Sequence, residues 1–389
     1  MTQSPIKVLH ISGFKYLPPS QTFVHARVLN PICQRPVPVI TNSMYAGYEH
    51  SQEIELYQGA TVHPFHEQSE NVVYGDSDSS LYVYQVIRQV QPQIVHVHFG
   101  RAGVGCLSIA KHFRIPIVIN FYGVETNRRI YMPEWLRRYQ IQYTDADAFI
   151  CSSHAMKEIM IESGCSSDKI TVIRCGVDTH FFCGDVTPWM PGQPLQMLSI
   201  ARLHPDKGLT YLLDACRLLN LSGFRNWQLK IIGRGKASAE LKQQAKDHGL
   251  QNQVHFLGRQ PHRAVRDALR DAHLKILASV KETQGLALQE AQATRTPVIA
   301  SHTGGIPMGV LDGESGFLFE PQSPPAIVEK IKRFLENPPL FVKMGNAARR
   351  YVVAHFSRQE EYRQLSELYR SLLRNQGAPR NFPIWVGDQ

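Results

Sequence analysis

Little in this sequence would cross-link the chain or anchor it. Its seven cysteines are scattered and odd in number, and no Cys-x-x-Cys pair occurs. That pattern argues against a disulfide framework or a cysteine-built zinc site, and for reduced thiols in a cytoplasmic setting. No apolar run approaches the roughly 20 residues that span a bilayer, so no membrane helix is expected. The polar start, residues 1–5, leads straight into a strand-like run without the basic segment of a signal peptide. Internal repeats and low-complexity tracts are lacking too. Charged residues make up 19% against 43% hydrophobic ones, which excludes a disordered chain. A length of 389 residues suits two domains.

Positive charge is present but uneven. The net charge is +9, yet residues 1–180 hold 15 basic and 15 acidic side chains, so the whole excess follows residue 180. A basic half attracts phosphates, whether on nucleic acid, nucleotide diphosphates or anionic lipid heads. For any single cation, a solvated surface position is the simpler reading.

Short β-branched runs alternate with amphipathic stretches. Strands are expected at 7–11, 38–41, 94–98, 116–120, 148–151 and 170–173, with helices at 80–90, 103–112 and 134–145 between them. After the Pro/Gly-rich stretch 187–194 the rhythm restarts, with strands at 195–201, 228–233, 254–257, 274–278, 297–300 and 316–319. This alternation predicts an α/β chain with two Rossmann-like parallel-sheet domains. Ligands of such sheets bind beyond the C-terminal strand ends, so the site is expected in a central cleft that the domains face. Apolar residues at 362, 365, 368, 369, 372 and 373 predict a C-terminal helix over 360–374.

The strongest chemical signal is the segment from Glu282 to Glu290, in the order strand, acidic loop, Gly285, helix. Gly285 lets backbone approach a ligand, and the helix start at Leu286 and Ala287 offers free N–H groups to a diphosphate. Glu290, one turn in, is placed to bind a ribose diol, and Glu282 to reach sugar hydroxyls. As two glutamates eight apart they are also explained by solvated loop and helix acids. The trailing residues 291–307, with Pro297, Gly304, Gly305 and Pro307, make the pattern specific.

This stretch resembles the E-x7-E signature of family-4 retaining glycosyltransferases of GT-B fold. Arg295 stands where that family usually has Gly, and Met308 where it usually has Glu. Residues 199–208, with Arg202 and Lys207, resemble its G-R-L-x-x-x-K-G segment, Ala201 replacing the Gly. There a guanidinium fork and an ammonium would neutralise a leaving diphosphate. Gly233 lies in a V-G-x-G-like loop, and residues 256–259, ending in Arg259, resemble the F-L-G segment that meets the nucleobase.

The N-terminal half matches less tightly. Residues 20–23 resemble the S-E-T-F segment of exopolysaccharide and colanic-acid-type members, and residues 96–100 their H-x-H-F-G. His96 and His98 invite a zinc reading, but no acid or cysteine completes the set, so no metal is expected. His98 is expected to face the cleft while His96 packs. Tyr122 and Glu125 fall where many members have H-G-x-D and some Y-G-x-D. The two Asp-x-Asp pairs, 76/78 and 145/147, read as a helix cap and a helix end. Residues 127–139 are basic and aromatic, which suits a membrane surface or lipid-diphosphate acceptor, and slightly better a solvated helix with buried aromatics.

The resemblance implies an acceptor-side domain over 1–182, a linker at 183–194 and a nucleotide-sugar-binding domain over 195–358. The helix and tail at 359–389 would pack back on the first domain. It implies a metal-independent, retaining transfer from a UDP- or GDP-linked sugar to a glycan or lipid-linked acceptor in surface polysaccharide synthesis. Glu282, Arg202 and Lys207 would be catalytic. Gly233, Arg259, Gln284, Gly285, Leu286, Ala287 and Glu290 would hold the donor, and His98, Tyr122 and Glu125 the acceptor side. No cofactor beyond the nucleotide sugar is implied, and the location would be cytoplasmic, including the inner face of the plasma membrane. Two other classes share the residue pattern: an epimerase or phosphorylase on the same fold, and a nucleic-acid binder. The second fits less well because the basic residues are dispersed rather than striped with aromatics.

Overall fold

The computed structural model describes residues 5–12, 27–28, 31, 37–41, 60–64, 77–185 and 187–375. They form two compact units, Met1–Ile173 together with the chain from Glu361, and Arg174–Glu360.

The first unit is built on a sheet of β1 (Val8–Ser12), β2 (Val37–Thr41), β3 (Ala60–Pro64), β4 (Ile94–His98), β5 (Ile117–Asn120), β6 (Ala148–Cys151) and β7 (Ile170–Val172). The order is β3-β2-β1-β4-β5-β6-β7, and every pairing is parallel. β1, β4, β5 and β6 are buried along their whole length. Their sequences are mostly apolar, as in sheets covered on both faces, with His10, Ser12, His96, His98 and Asn120 as buried polar residues. The expected strands are present, and β3 is an addition at the sheet edge.

The second unit repeats the plan with β8 (Leu195–Ile200), β9 (Trp227–Ile232), β10 (Val254–Gly258), β11 (Leu274–Leu277), β12 (Val298–Ser301) and β13 (Gly316–Phe319). Their order is β10-β9-β8-β11-β12-β13, again all parallel. Helix starts are written locally. Pro133, Pro324 and Pro339 open helices whose first N–H has no partner to lose. Ser153 caps the helix His154–Glu162 by accepting from the Met156 N–H at 3.3 Å.

The unit boundary falls at Ile173, ahead of the Pro/Gly-rich stretch expected to mark it. Packing explains the difference. The Val177 N–H donates to the Phe356 carbonyl at 2.8 Å, Arg358 pairs with Asp178 at 3.0 Å, and Arg349 donates to the carbonyls of Thr179 and Phe182. The C-terminal helix, Arg358–Arg374, buries Leu365 and Tyr369 completely in a cluster with Val8, Ile94, Val118 and Ile150. No disulfide joins the described cysteines, and no described helix is long and apolar enough to cross a membrane.

Candidate active site

In both sheets the strand order reverses once, between β1 and β4 and between β8 and β11. Such switch points open a crevice at the C-terminal strand ends. Of the predicted residues of the second unit, Arg202, Lys207, Glu282 and Gly285 lie on the loops that follow its switch-point strands, β8 and β11, while Gly233 and Arg259 follow β9 and β10. Lys207 ends a short 3-10 turn, Pro205–Lys207, after β8, and Glu282 lies on the loop after β11. Lys207 Nζ donates to Glu282 Oε2 at 2.7 Å, and both side chains are largely sheltered. The same carboxylate accepts from Ser279 Oγ at 3.3 Å and, through Oε1, from the Thr283 N–H at 3.2 Å. The Asp206 carbonyl takes the N–H groups of Val280 and Lys281, tying the two loops together.

Gly285, in the left-handed region at φ 84°, delivers the chain into the helix Leu286–Ala293. Leu286 and Ala287 form its half-buried first turn. The loop after β12 closes on the site from the other side. The Gly305 N–H donates to the Glu282 carbonyl at 3.0 Å, and a Cβ on Gly304 (φ 53°) would lie 1.9 Å from that carbonyl oxygen. Gly304→Ala should therefore push the Glu282 loop out of place. We expect a cost of about 1–3 kcal/mol in equilibrium urea unfolding, with weakened nucleotide binding; wild-type unfolding and binding would refute it.

Glu290 sits on the same helix. Burial pushes its carboxyl up to about 7, against the pull of the Lys275 and Arg358 charges. Lys275 itself is fully buried on β11, its Nζ without a hydrogen-bond partner among the described residues, and burial pushes it down to about 8 against Glu290 and Glu282. No motif pointed to Lys275; the signal was a lysine inside the apolar run Leu274–Leu277. Arg202 and Arg259 are exposed at the ends of β8 and β10, so their side chains are open to an incoming group. Gly233, at the end of β9, donates its N–H to the Gly258 carbonyl at 2.8 Å. Gln284 differs from its expected donor-binding part. Its amide exchanges two hydrogen bonds with the Cys175 backbone, at 2.8 and 2.9 Å, and is buried. Arg295, where a glycine is usual, has φ 60°, so the position keeps the glycine-type conformation.

In the first unit, His98 is fully buried rather than open, and its Nδ1 meets the Tyr122 hydroxyl at 2.7 Å. Its Nε2 lies 2.9 Å from Nδ1 of His10, which the sequence reading did not single out. His96 Nδ1 meets the Tyr369 hydroxyl at 2.6 Å. Burial holds both His96 and His98 well below the usual imidazole range, helped by His10 and the Arg27 charge. Glu125 is also fully buried. It accepts from the N–H groups of Gly100 at 3.2 Å and Tyr122 at 3.1 Å, so its carboxylate fastens the loops after β4 and β5 rather than facing a ligand. Burial raises its pKa. Asp147 accepts from the Ile117 N–H at 2.8 Å and Asp145 pairs with Lys111, both structural uses as expected. Residues 20–23 and Asp76 lie outside the described residues.

Residues 190–351 match the family model "Glycosyl transferases group 1", and residues 39–181 match "Glycosyltransferase Family 4". The chain is 30% identical over 313 residues to a putative colanic acid biosynthesis glycosyltransferase, WcaL, of Salmonella typhimurium, covering 77% of this chain and 76% of that one. It is 29% identical over 311 residues to the amylovoran biosynthesis glycosyltransferase AmsK of Erwinia amylovora, with 77% and 76% covered. Among solved structures, Anabaena Alr3699/HepE in complex with UDP and glucose superposes with a TM-score of 0.78 at 19% identity, over 94% of this chain and 100% of that one.

Proposed function

Since the chain belongs to the family-4, group 1 glycosyltransferases of GT-B fold, we propose that it moves a sugar, with retention, from a UDP- or GDP-linked donor to a glycan or lipid-linked acceptor of surface polysaccharide synthesis. The observation that carries this reading is the Lys207–Glu282 pair at the β8/β11 switch point, beside the start of the helix Leu286–Ala293. Arg202, Lys207 and the helix N–H groups would hold the departing diphosphate without a bridging metal, and Glu282 would orient the sugar. The bond breaks as negative charge grows on the leaving oxygen, where fixed cations help most. The polysaccharide acceptor is supported by what WcaL and AmsK are named for. A lipid-linked acceptor at a membrane face is supported by the exposed Tyr131 and Met132 among Arg128, Arg137 and Arg138.

The test is a thermal-shift screen against UDP, GDP and ADP and their sugars. One uridine or guanosine series should raise the melting temperature; no stabilisation by any nucleotide would overturn the reading. Glu290 adds a pH dependence. A ribose diol is bound best by the carboxylate, and Glu290 protonates near 7 in the folded protein. Affinity for the nucleoside diphosphate should therefore rise with pH between about pH 6 and pH 8. Titration calorimetry checks this: Glu290→Gln should flatten the profile, and an unchanged slope would remove Glu290 from the site.

A further inference from the structure

We propose that His10, His96 and His98 form a divalent-metal site in the first unit, suited to zinc. The fold brings the three together. His96 and His98 alternate on β4 and so share one face, and β1 is registered so that His10 lies beside His96. One ring nitrogen of each lies within 4.8 Å of the others, and all three residues are fully buried. They sit at the sheet's switch point, next to the apolar cluster of Val8, Ile94 and Tyr369.

The outer partners are those of ligating histidines. A ligating imidazole commonly gives its second N–H to an oxygen, which fixes the ring and aims the other nitrogen at the metal. His98 Nδ1 meets the Tyr122 hydroxyl at 2.7 Å, and His96 Nδ1 meets the Tyr369 hydroxyl at 2.6 Å. Nε2 of His98 faces His10, and His96 Nε2 has no hydrogen-bond partner among the described residues. His10 Nδ1 lies 2.9 Å from His98 Nε2. Two nitrogens on one tetrahedral zinc, each at about 2.0–2.1 Å, are about 3.4 Å apart, so this pair needs only a small opening. The metal would replace the single hydrogen between them, with His10 taking the tautomer protonated at Nε2.

Charge and ligand type narrow the ion. Three imidazoles without a carboxylate suit zinc, and the neighbouring first-row metals, rather than magnesium or calcium. The Arg27 guanidinium nearby is paired with Glu361, so its repulsion of a cation is offset. Three ligands leave one tetrahedral position for water. Because His98 also holds Tyr122, a metal here would fix that half-buried hydroxyl at the end of β5.

Metal analysis of the full chain, purified without a metal-affinity tag, tests the site. About one equivalent of zinc per chain is expected. Metal-stripped protein titrated with Co²⁺ should give the intense visible absorption of a tetrahedral nitrogen site. His10→Gln and His98→Gln should abolish that absorption. If those variants fail to fold, Tyr369→Phe, which removes one hydroxyl only, should keep the fold and weaken Co²⁺ binding by about 10–100-fold. Wild-type protein without stoichiometric metal and without the Co²⁺ absorption would overturn the proposal. So would unchanged Co²⁺ binding in a folded His10→Gln, His98→Gln or Tyr369→Phe variant. None of these readouts depends on donor or acceptor.

Discussion

Lys207→Ala and Glu282→Ala are each expected to lower kcat/KM for the sugar nucleotide by about 10²–10³, the range seen when one fixed electrostatic contact to a transition state is removed. The two losses should differ in kind. Lys207→Ala removes the cation proposed to meet the leaving diphosphate. It also strips the partner at 2.7 Å from Glu282, leaving a carboxylate held by Ser279 and the Thr283 N–H beside a growing negative charge. Glu282→Ala keeps the cation but frees its long side chain, so positioning is lost before charge is. Lys207→Ala should therefore be the slower enzyme. Because the two act as one unit, the double variant should be little worse than Lys207→Ala alone. Steady-state kinetics with circular dichroism as a control for folding provides the check. Wild-type rates in either folded variant would sink the assignment, and strictly additive losses would sink the coupling.

The residues at the β8/β11 switch point were legible because each sits in a short motif close behind a strand. Arg202, Lys207, Glu282 and Gly285 lie on the loops and turns that follow β8 and β11, with Glu290 one turn into the next helix, and the pairing of β8 with β11 brings Lys207 and Glu282 together from 75 positions apart. Strand identity was equally open to reading, since 148–151 is buried end to end and apolar throughout, while in 94–98 only His96 and His98 interrupt the apolar residues. What stayed hidden depended on long-range contact. The partner His10 brings to His98 comes from 88 positions away, across a strand pairing that no motif encodes. Gln284 looked like a ligand-binding residue because it lies inside the signature, yet its amide is used on the backbone of Cys175. Glu125 misled in the same way: an acid in a loop beside a tyrosine, it satisfies two buried backbone N–H groups. The unit boundary was misplaced because Pro and Gly at 187–194 look like a hinge, while membership of residues 174–182 is set by Arg349, Phe356 and Arg358.

Glu361→Ala should cost the first unit about 3–5 kcal/mol, the loss found when one member of a buried ion pair is removed. Arg27 and Glu361 are both shut off from water, with side-chain exposures of 0% and 2%. Arg27 also donates to Asn120 Oδ1 and, at 2.9 Å, to the Ile173 carbonyl, and its guanidinium lies 5.4 Å from the centre of the Tyr122 ring. One side chain thus ties the C-terminal helix to the ends of β5 and β7. Removing the carboxylate takes the Glu361 counter-charge from a cation shut off from water, and burial of Leu365 and Tyr369 on the sheet must then offset that cost. The helix should loosen first, seen as faster amide exchange over residues 361–374 and a lower urea midpoint. Replacing both partners by apolar residues, Arg27→Met with Glu361→Leu, should recover most of the loss because no charge remains to be desolvated. A Glu361→Ala variant within about 0.5 kcal/mol of wild type would show that the pair is not what fastens this helix, and that apolar packing alone holds it.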